Sequence, residues 1–175
     1  MIISSGFLPV SWDCFSSSAK FRLLTRRLKK VIYKSICYIV YSLKYSDFKL
    51  LGHELEFSNT GKYNTIKLEV DGKKVEITGK IDRIDTAQLS DKQYVRIIDY
   101  KSSMKDLDLN QVEAGLQIQL ITYLDAICQQ TKLEASGVLY MGLIDNVVKN
   151  AKNMSEEEIE NKIRNNFKMK GLILA

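Results

Sequence analysis

Hydrophobic and polar positions divide the chain into stretches of different period. From Ser16–Ser18, read as N-cap residues, Phe21, Leu24, Leu28, Val31, Ile32, Ile36, Ile39 and Leu43 recur at helical spacing, with basic residues on most of the other face. The period then falls to two. Glu54–Phe57 and Ile66–Val70 alternate, and Asp71-Gly72 is a tight-turn signal. Ile66–Val70 and the stretch KVEITGKIDRID are therefore predicted to form a hairpin. Within its second strand Val75, Ile77, Gly79 and Ile81 share one face, and Glu76, Thr78, Lys80 and Asp82 the other. A polar loop, TAQLSDKQ, leads to a third strand, Tyr94–Tyr100. LNQVEAGLQIQLITYLDAICQQ reads as one helix and ASGVLYMGLI as a strand. SEEEIENKIRNNF reads as a helix opened by a capping box, Ser155 with Glu158. The order is helix, three antiparallel-type strands, helix, strand, helix. It predicts an α/β (α+β) fold, a mixed central sheet flanked by helices.

Composition changes this picture little. The chain has 175 residues, 45% hydrophobic and 27% charged, the balance of one globular domain. The net charge of +5 tilts the expected partner toward an anionic surface such as nucleic acid. Nine bases, Lys20 to Lys49, fall in the first fifty residues, opposed by Asp13 and Asp47. Those on the first helix read equally as a solvated face and as a contact to DNA backbone. Cys14, Cys37 and Cys128 are odd in number and widely spaced, which argues against a disulfide framework or a C-x-x-C metal site and for a reducing cytoplasm. MIISSGFLPV lacks a basic leader, and VIYKSICYIVYSL is too short and interrupted to span a bilayer, so no membrane segment is expected.

The candidate chemistry lies in VRIIDYKSS, an apolar strand that runs into Asp99 and Lys101. These two project from one face. If this strand neighbours the one ending in GKIDRID, Asp82 leans over the same spot. Two carboxylates that close repel unless a cation lies between them. A hard divalent ion such as Mg²⁺ would take both, with the Tyr100 carbonyl as a further ligand. Lys101 could then hold a water for in-line attack on phosphorus and offset charge in the transition state. A plain surface ion pair also accounts for Asp99 and Lys101. Gln119 and Tyr123, at i and i+4, put an amide and a phenol on one helix face, either to shape a site or as a satisfied polar pair. His53 is the only histidine, which excludes a histidine-based triad or zinc cluster and is read as a strand-edge residue. No phosphate-binding P-loop is present. Cys128 reads as a small core residue.

The stretches GKIDRID, VRIIDYKSS, GLQIQLITYLDA, GVLYMGL and FKMKGLILA resemble, in order and spacing, the nuclease domain of AddAB-type helicase–nucleases. That domain lies in the RecB-like branch of the PD-(D/E)xK superfamily. The resemblance runs from about Gly52 to Ala175 and implies a restriction-endonuclease-like core. It matches Asp82 and Asp99 to the family's metal-binding aspartates, Lys101 to its catalytic lysine, Gln119 and Tyr123 to its Q-x-x-x-Y motif, and Glu54 to an acidic position before the core sheet. It implies Mg²⁺- or Mn²⁺-dependent cleavage of DNA, single-stranded or at double-strand breaks, in repair by homologous recombination. The implied partner is an AddA-like subunit and the implied location the bacterial cytoplasm. On the first helix Arg22, Arg26, Lys29 and Lys30 become candidates for backbone contact. The family's G-x-x-x-H histidine has no counterpart in Phe21–Tyr45, and the four cysteines of its iron–sulfur cluster have none in this chain. The expected organisation is an unassigned segment 1–16, a basic amphipathic helix at 17–50 and a nuclease-like core at 51–175, incomplete relative to the family and read as a fragment. The alternative is a catalytically weak DNA-binding or subunit-docking module.

Overall fold

The computed structural model describes residues 18–103, 105–143 and 154–174. The unassigned segment 1–16 and Ile144, at the end of the expected strand, lie outside the described residues. Helix α1 (Ala19–Lys44) starts where the Ser18 hydroxyl accepts a bond from the Phe21 N–H at 3.3 Å, and ends with Lys44 at the negative end of its dipole. Five strands build the main sheet in the order β1 (Lys49–Phe57), β4 (Gly79–Leu89), β5 (Lys92–Lys101), β6 (Glu134–Gly142) and β7 (Lys170–Ile173). Pairing is antiparallel except between β5 and β6, which run parallel. Helices α2 (Leu109–Glu113) and α3 (Gln119–Gln130) make the crossover that a parallel pair requires. Helix α4 (Glu156–Asn166) leads into β7, and its capping box forms as expected, with Ser155 and Glu158 bonding each other's backbone.

The central strands are buried on both sides, and alternation sorts their side chains. Ile84, Val95, Ile97, Val138 and Tyr140 meet Leu120, Tyr123, Leu124 and Ile127 of α3. Ile98, Leu139, Met141 and Tyr100 face the other way, toward Tyr38 and Ile39 of α1, Ile163 of α4 and Phe167. Tyr38 and Phe167 stack at 5.9 Å. The mixed sheet with helices on both faces is the expected fold class.

Three local expectations need correction. The stretch KVEITGKIDRID is not one strand: it divides at Thr78 into β3 (Lys73–Ile77) and β4. Strand β3 pairs only with β2 (Ile66–Val70) in a separate two-stranded sheet. The hairpin turn itself is as expected, with Asp71 and Gly72 both at positive φ, 51° and 71°, as a type I′ turn demands. The loop TAQLSDKQ is mostly strand, since β4 runs to Leu89 and β5 starts at Lys92. The single helix 109–130 breaks because Gly115 adopts φ 76°. The Leu116 N–H then reaches back to the Gln111 carbonyl at 2.8 Å, a helix-ending motif that glycine enters without steric cost. Strand β7 had no periodic signal of its own.

Candidate metal and nuclease site

The register of β4 against β5 sets the site. Their antiparallel ladder runs from Leu89↔Lys92 down to Arg83↔Ile98 and stops there. Asp82 and Asp99 are the next residue on each strand. Where the backbone ladder ends, a side chain takes over: the Tyr100 N–H donates to Asp82 Oδ2 at 2.9 Å. Strand β5 stays paired with β6 as far as Lys101↔Gly142, so Asp99 and Lys101 remain on rigid backbone, with Tyr140 the direct partner of Asp99.

Asp99 and Lys101 sit together, Lys101 Nζ 2.6 Å from Asp99 Oδ2. This ion pair is too poorly aligned to be a hydrogen bond, and Oδ2 is buried with no hydrogen-bond partner among the described residues. The close Asp99 carboxylate lifts the Lys101 pKa above its ordinary value; burial opposes this, and Tyr140 and Asp82 add to it. Asp82 thus acts electrostatically on the same ammonium. Lys101 lies 5.8 Å from the centre of the Tyr140 ring, and Lys105 5.1 Å. Burial raises the Tyr140 phenol pKa, Asp99 raises it further and Lys101 lowers it. On the wall formed by α3, Gln119 Nε2 donates to the Tyr123 hydroxyl at 3.2 Å, so the i, i+4 pair does share a face. Tyr123 is buried and stacks on Phe57 at 5.3 Å.

Asp82, Asp99, Lys101 and the Tyr100 backbone are brought together, with Gln119 and Tyr123 on the helix packed over the same side of the sheet. Glu54 is not brought to the carboxylates. It ion-pairs with Lys80, two residues before Asp82, from a backbone held at φ 53°. Helix α1 packs through Tyr38 and Ile39 on the opposite face of the sheet, which separates Arg22, Arg26, Lys29 and Lys30 from the carboxylates. His53 lies on the edge strand β1 opposite Arg83. Among the described residues no three His, Cys, Asp or Glu side chains cluster as metal ligands. What remains is an all-oxygen donor set of two carboxylates and a carbonyl, with one buried carboxylate oxygen lacking a hydrogen bond. That set fits a hard cation that completes its shell with water or phosphate oxygens.

An acidic pair at a strand divergence, followed two residues on by a lysine, is the arrangement that the superfamily's sequence pattern names, and residues 8–170 match it. The chain belongs to the PD-(D/E)XK nuclease superfamily. Similar proteins of this kind include the B subunit of the ATP-dependent helicase/deoxyribonuclease of Clostridium novyi, 46% identical over 168 residues. The corresponding proteins of Acetivibrio thermocellus and Ruminiclostridium cellulolyticum are 41% and 39% identical over 167 and 165 residues. These alignments cover 92%, 91% and 90% of the chain but only 15%, 15% and 14% of the relatives. The chain thus spans about a seventh of their length. Among the described residues no helix is long and apolar enough to cross a membrane.

Sequence reasoning missed several residues around this PD-(D/E)XK site. On the reverse face Arg83 pairs with Asp85 through Nε and Nη2 at 2.7 and 2.8 Å, and Arg96 reaches Asp85 Oδ2 at 2.9 Å. The signal was present, since Arg83, Asp85 and Arg96 interrupt otherwise apolar strands, but only register shows that they meet. Gly79, Tyr140 and Lys105 carried no signal without the fold.

Proposed function

We propose that this chain hydrolyses DNA phosphodiester bonds, with Mg²⁺ or Mn²⁺ held by Asp82, Asp99 and the Tyr100 carbonyl. The observation that carries the reading is the convergence of Asp82, Asp99 and Lys101 where β4 and β5 part. A divalent cation there would polarise the phosphoryl group and make water a stronger nucleophile at neutral pH. The Tyr100 N–H keeps Asp82 turned toward the site. The Lys101 ammonium, held between Asp99 and the Tyr140 ring, orients the attacking water and offsets charge building on the phosphoryl oxygens. Gln119 and Tyr123 shape the wall along which the strand lies. The names of the relatives support an ATP-dependent helicase setting, with an AddA-like partner subunit and single-stranded DNA, or DNA at double-strand breaks, as substrate for recombinational repair. Arg22, Arg26, Lys29 and Lys30 would meet backbone phosphates only of DNA that passes around the sheet to α1.

A magnesium-dependent nuclease assay on single-stranded DNA tests this. Lys101→Ala should lose about 10²–10³-fold in kcat, the usual effect of removing one preorganised donor. Cleavage by Lys101→Ala at the wild-type rate sinks the mechanism. The sparse donor set favours a second reading, a DNA-binding or docking module that cuts weakly or not at all. Salt-dependent DNA binding without Mn²⁺ binding would establish it.

A further inference from the structure

Behind the site lies a charged cluster for which the proposed chemistry has no use. Asp85 is fully buried, Arg83 is 2% exposed and the Arg96 side chain 15%. Arg83 grips both Asp85 oxygens, while Arg96 reaches the same carboxylate across the ladder, where Asp85 and Arg96 are direct partners. The Arg96 guanidinium also caps the Phe48 ring at 4.1 Å. Two cations thus share one buried anion, and Arg83 Nη1 has no hydrogen-bond partner among the described residues. Burial opposes the Arg83 charge, but Asp85 and the Tyr100 hydroxyl favour it, with a net rise in its pKa.

The place of this cluster matters more than its charge. Arg83↔Ile98 is the last rung of the β4–β5 ladder and Asp85↔Arg96 lies two rungs earlier. Arg83 is bonded directly to Asp82, and Tyr100, whose N–H holds Asp82 in front, packs its ring behind. We propose that Arg83, held by Asp85 and Arg96, is a positioning residue. It locks the last rungs from the reverse face and so fixes the point at which the strands part and the separation of Asp82 from Asp99. This rests on the metal-and-nuclease reading above. A guanidinium fork suits the task because its planar donors fix a carboxylate in orientation as well as distance.

The test exploits a property of buried ion clusters. Replacing every member by apolar residues of similar size usually leaves stability unchanged or improved, whereas removing one member does not. The variant Arg83→Met/Asp85→Leu/Arg96→Met therefore separates positioning from folding. On the full chain, thermal unfolding, Mn²⁺ binding by calorimetry and kcat on single-stranded DNA are measured for this variant, wild type and Lys101→Ala. The expected result is an unchanged unfolding temperature with Mn²⁺ affinity and kcat each lower by about 10–100-fold, as for outer residues that orient metal ligands. A folded triple variant that binds Mn²⁺ and cleaves like wild type overturns the inference. If the triple variant does not fold, Tyr100→Phe decides. It keeps the carbonyl and removes the hydroxyl that Arg83 meets, and unchanged Mn²⁺ affinity overturns the inference. A wild type that binds Mn²⁺ without cleaving sinks the nuclease reading alone, and the Mn²⁺ comparison still decides this one. A wild type that binds no metal overturns both.

Discussion

Gly79 opens β4 against the side chain of Tyr123, and Gly79→Ala should be destabilising for that reason alone. A Cβ at position 79 would overlap the Tyr123 hydroxyl and stand 2.6 Å from its Cζ and 3.0 Å from its Cε1. The phenol has little room to retreat, because Tyr123 is 5% exposed, stacked on Phe57 and bonded by Gln119. Forcing extra atoms into such packing costs about 1–3 kcal/mol, and losing the Gln119 bond adds about 0.5–1.5 kcal/mol. Against this, alanine restricts the unfolded chain and returns about 0.4–1 kcal/mol, since Gly79 has no left-handed φ that a side chain would strain. The clash wins by roughly 1–3 kcal/mol, a fall of about 2–12 °C in Tm for a chain of this size. Urea unfolding of a two-by-two cycle with Tyr123→Leu isolates the cause. Without the phenol only the favourable term is left, so Gly79→Ala should become neutral or stabilising in the Tyr123→Leu background, a coupling above about 1.5 kcal/mol. Equal effects in the two backgrounds, or a cost below about 0.5 kcal/mol in wild type, would refute the argument. In nuclease assays the single variant should also lose activity, because it displaces the wall of the proposed site.

Further consequences are testable one by one. Asp85→Ala leaves Arg83 and Arg96 charged around an empty centre and should cost about 3–5 kcal/mol in urea unfolding, far more than the apolar triple variant. Ser155→Ala removes the acceptor for the Glu158 N–H and should cost about 1 kcal/mol; hydrogen exchange at Glu158 should accelerate while α3 amides stay unchanged. Burial, with a smaller contribution from Asp125, raises the Cys128 thiol pKa, so less of it is thiolate at any given pH than for an ordinary thiol. Exposed Cys37 should therefore be alkylated at pH 8 well before Cys128, and peptide mapping by mass spectrometry resolves the two.

How much of this was legible follows from the range of each signal. Period, caps and the Asp71-Gly72 turn are local, and they predicted α1, the hairpin and α4. Gly115 is local too, but a glycine inside an apolar period reads as tolerated until its φ is known. The split at Thr78 is not local. Val75, Ile77, Gly79 and Ile81 keep a perfect two-residue period across the break, and only the different partners of β3 and β4 separate them. Asp82, Asp99 and Lys101 were legible because their chemistry makes sense only if two strands adjoin, and the ladder makes them adjoin. Glu54 was placed by spacing alone, and its positive φ turns it to Lys80 instead.

Alternation gives the strand pair its two functions. Each step along β4 or β5 moves a side chain to the other face, so Asp82 and Arg83, adjacent in sequence, serve opposite sides of one sheet. A one-residue slip of β4 against β5 would put Arg83 and Asp85 in front and bury Asp82 behind, destroying the site and orphaning the arginines together. The cluster on the reverse face therefore opposes every register except the one that aligns the carboxylates. That accounts for three ionisable residues in strands that hydrophobic burial alone would fill with valine and isoleucine.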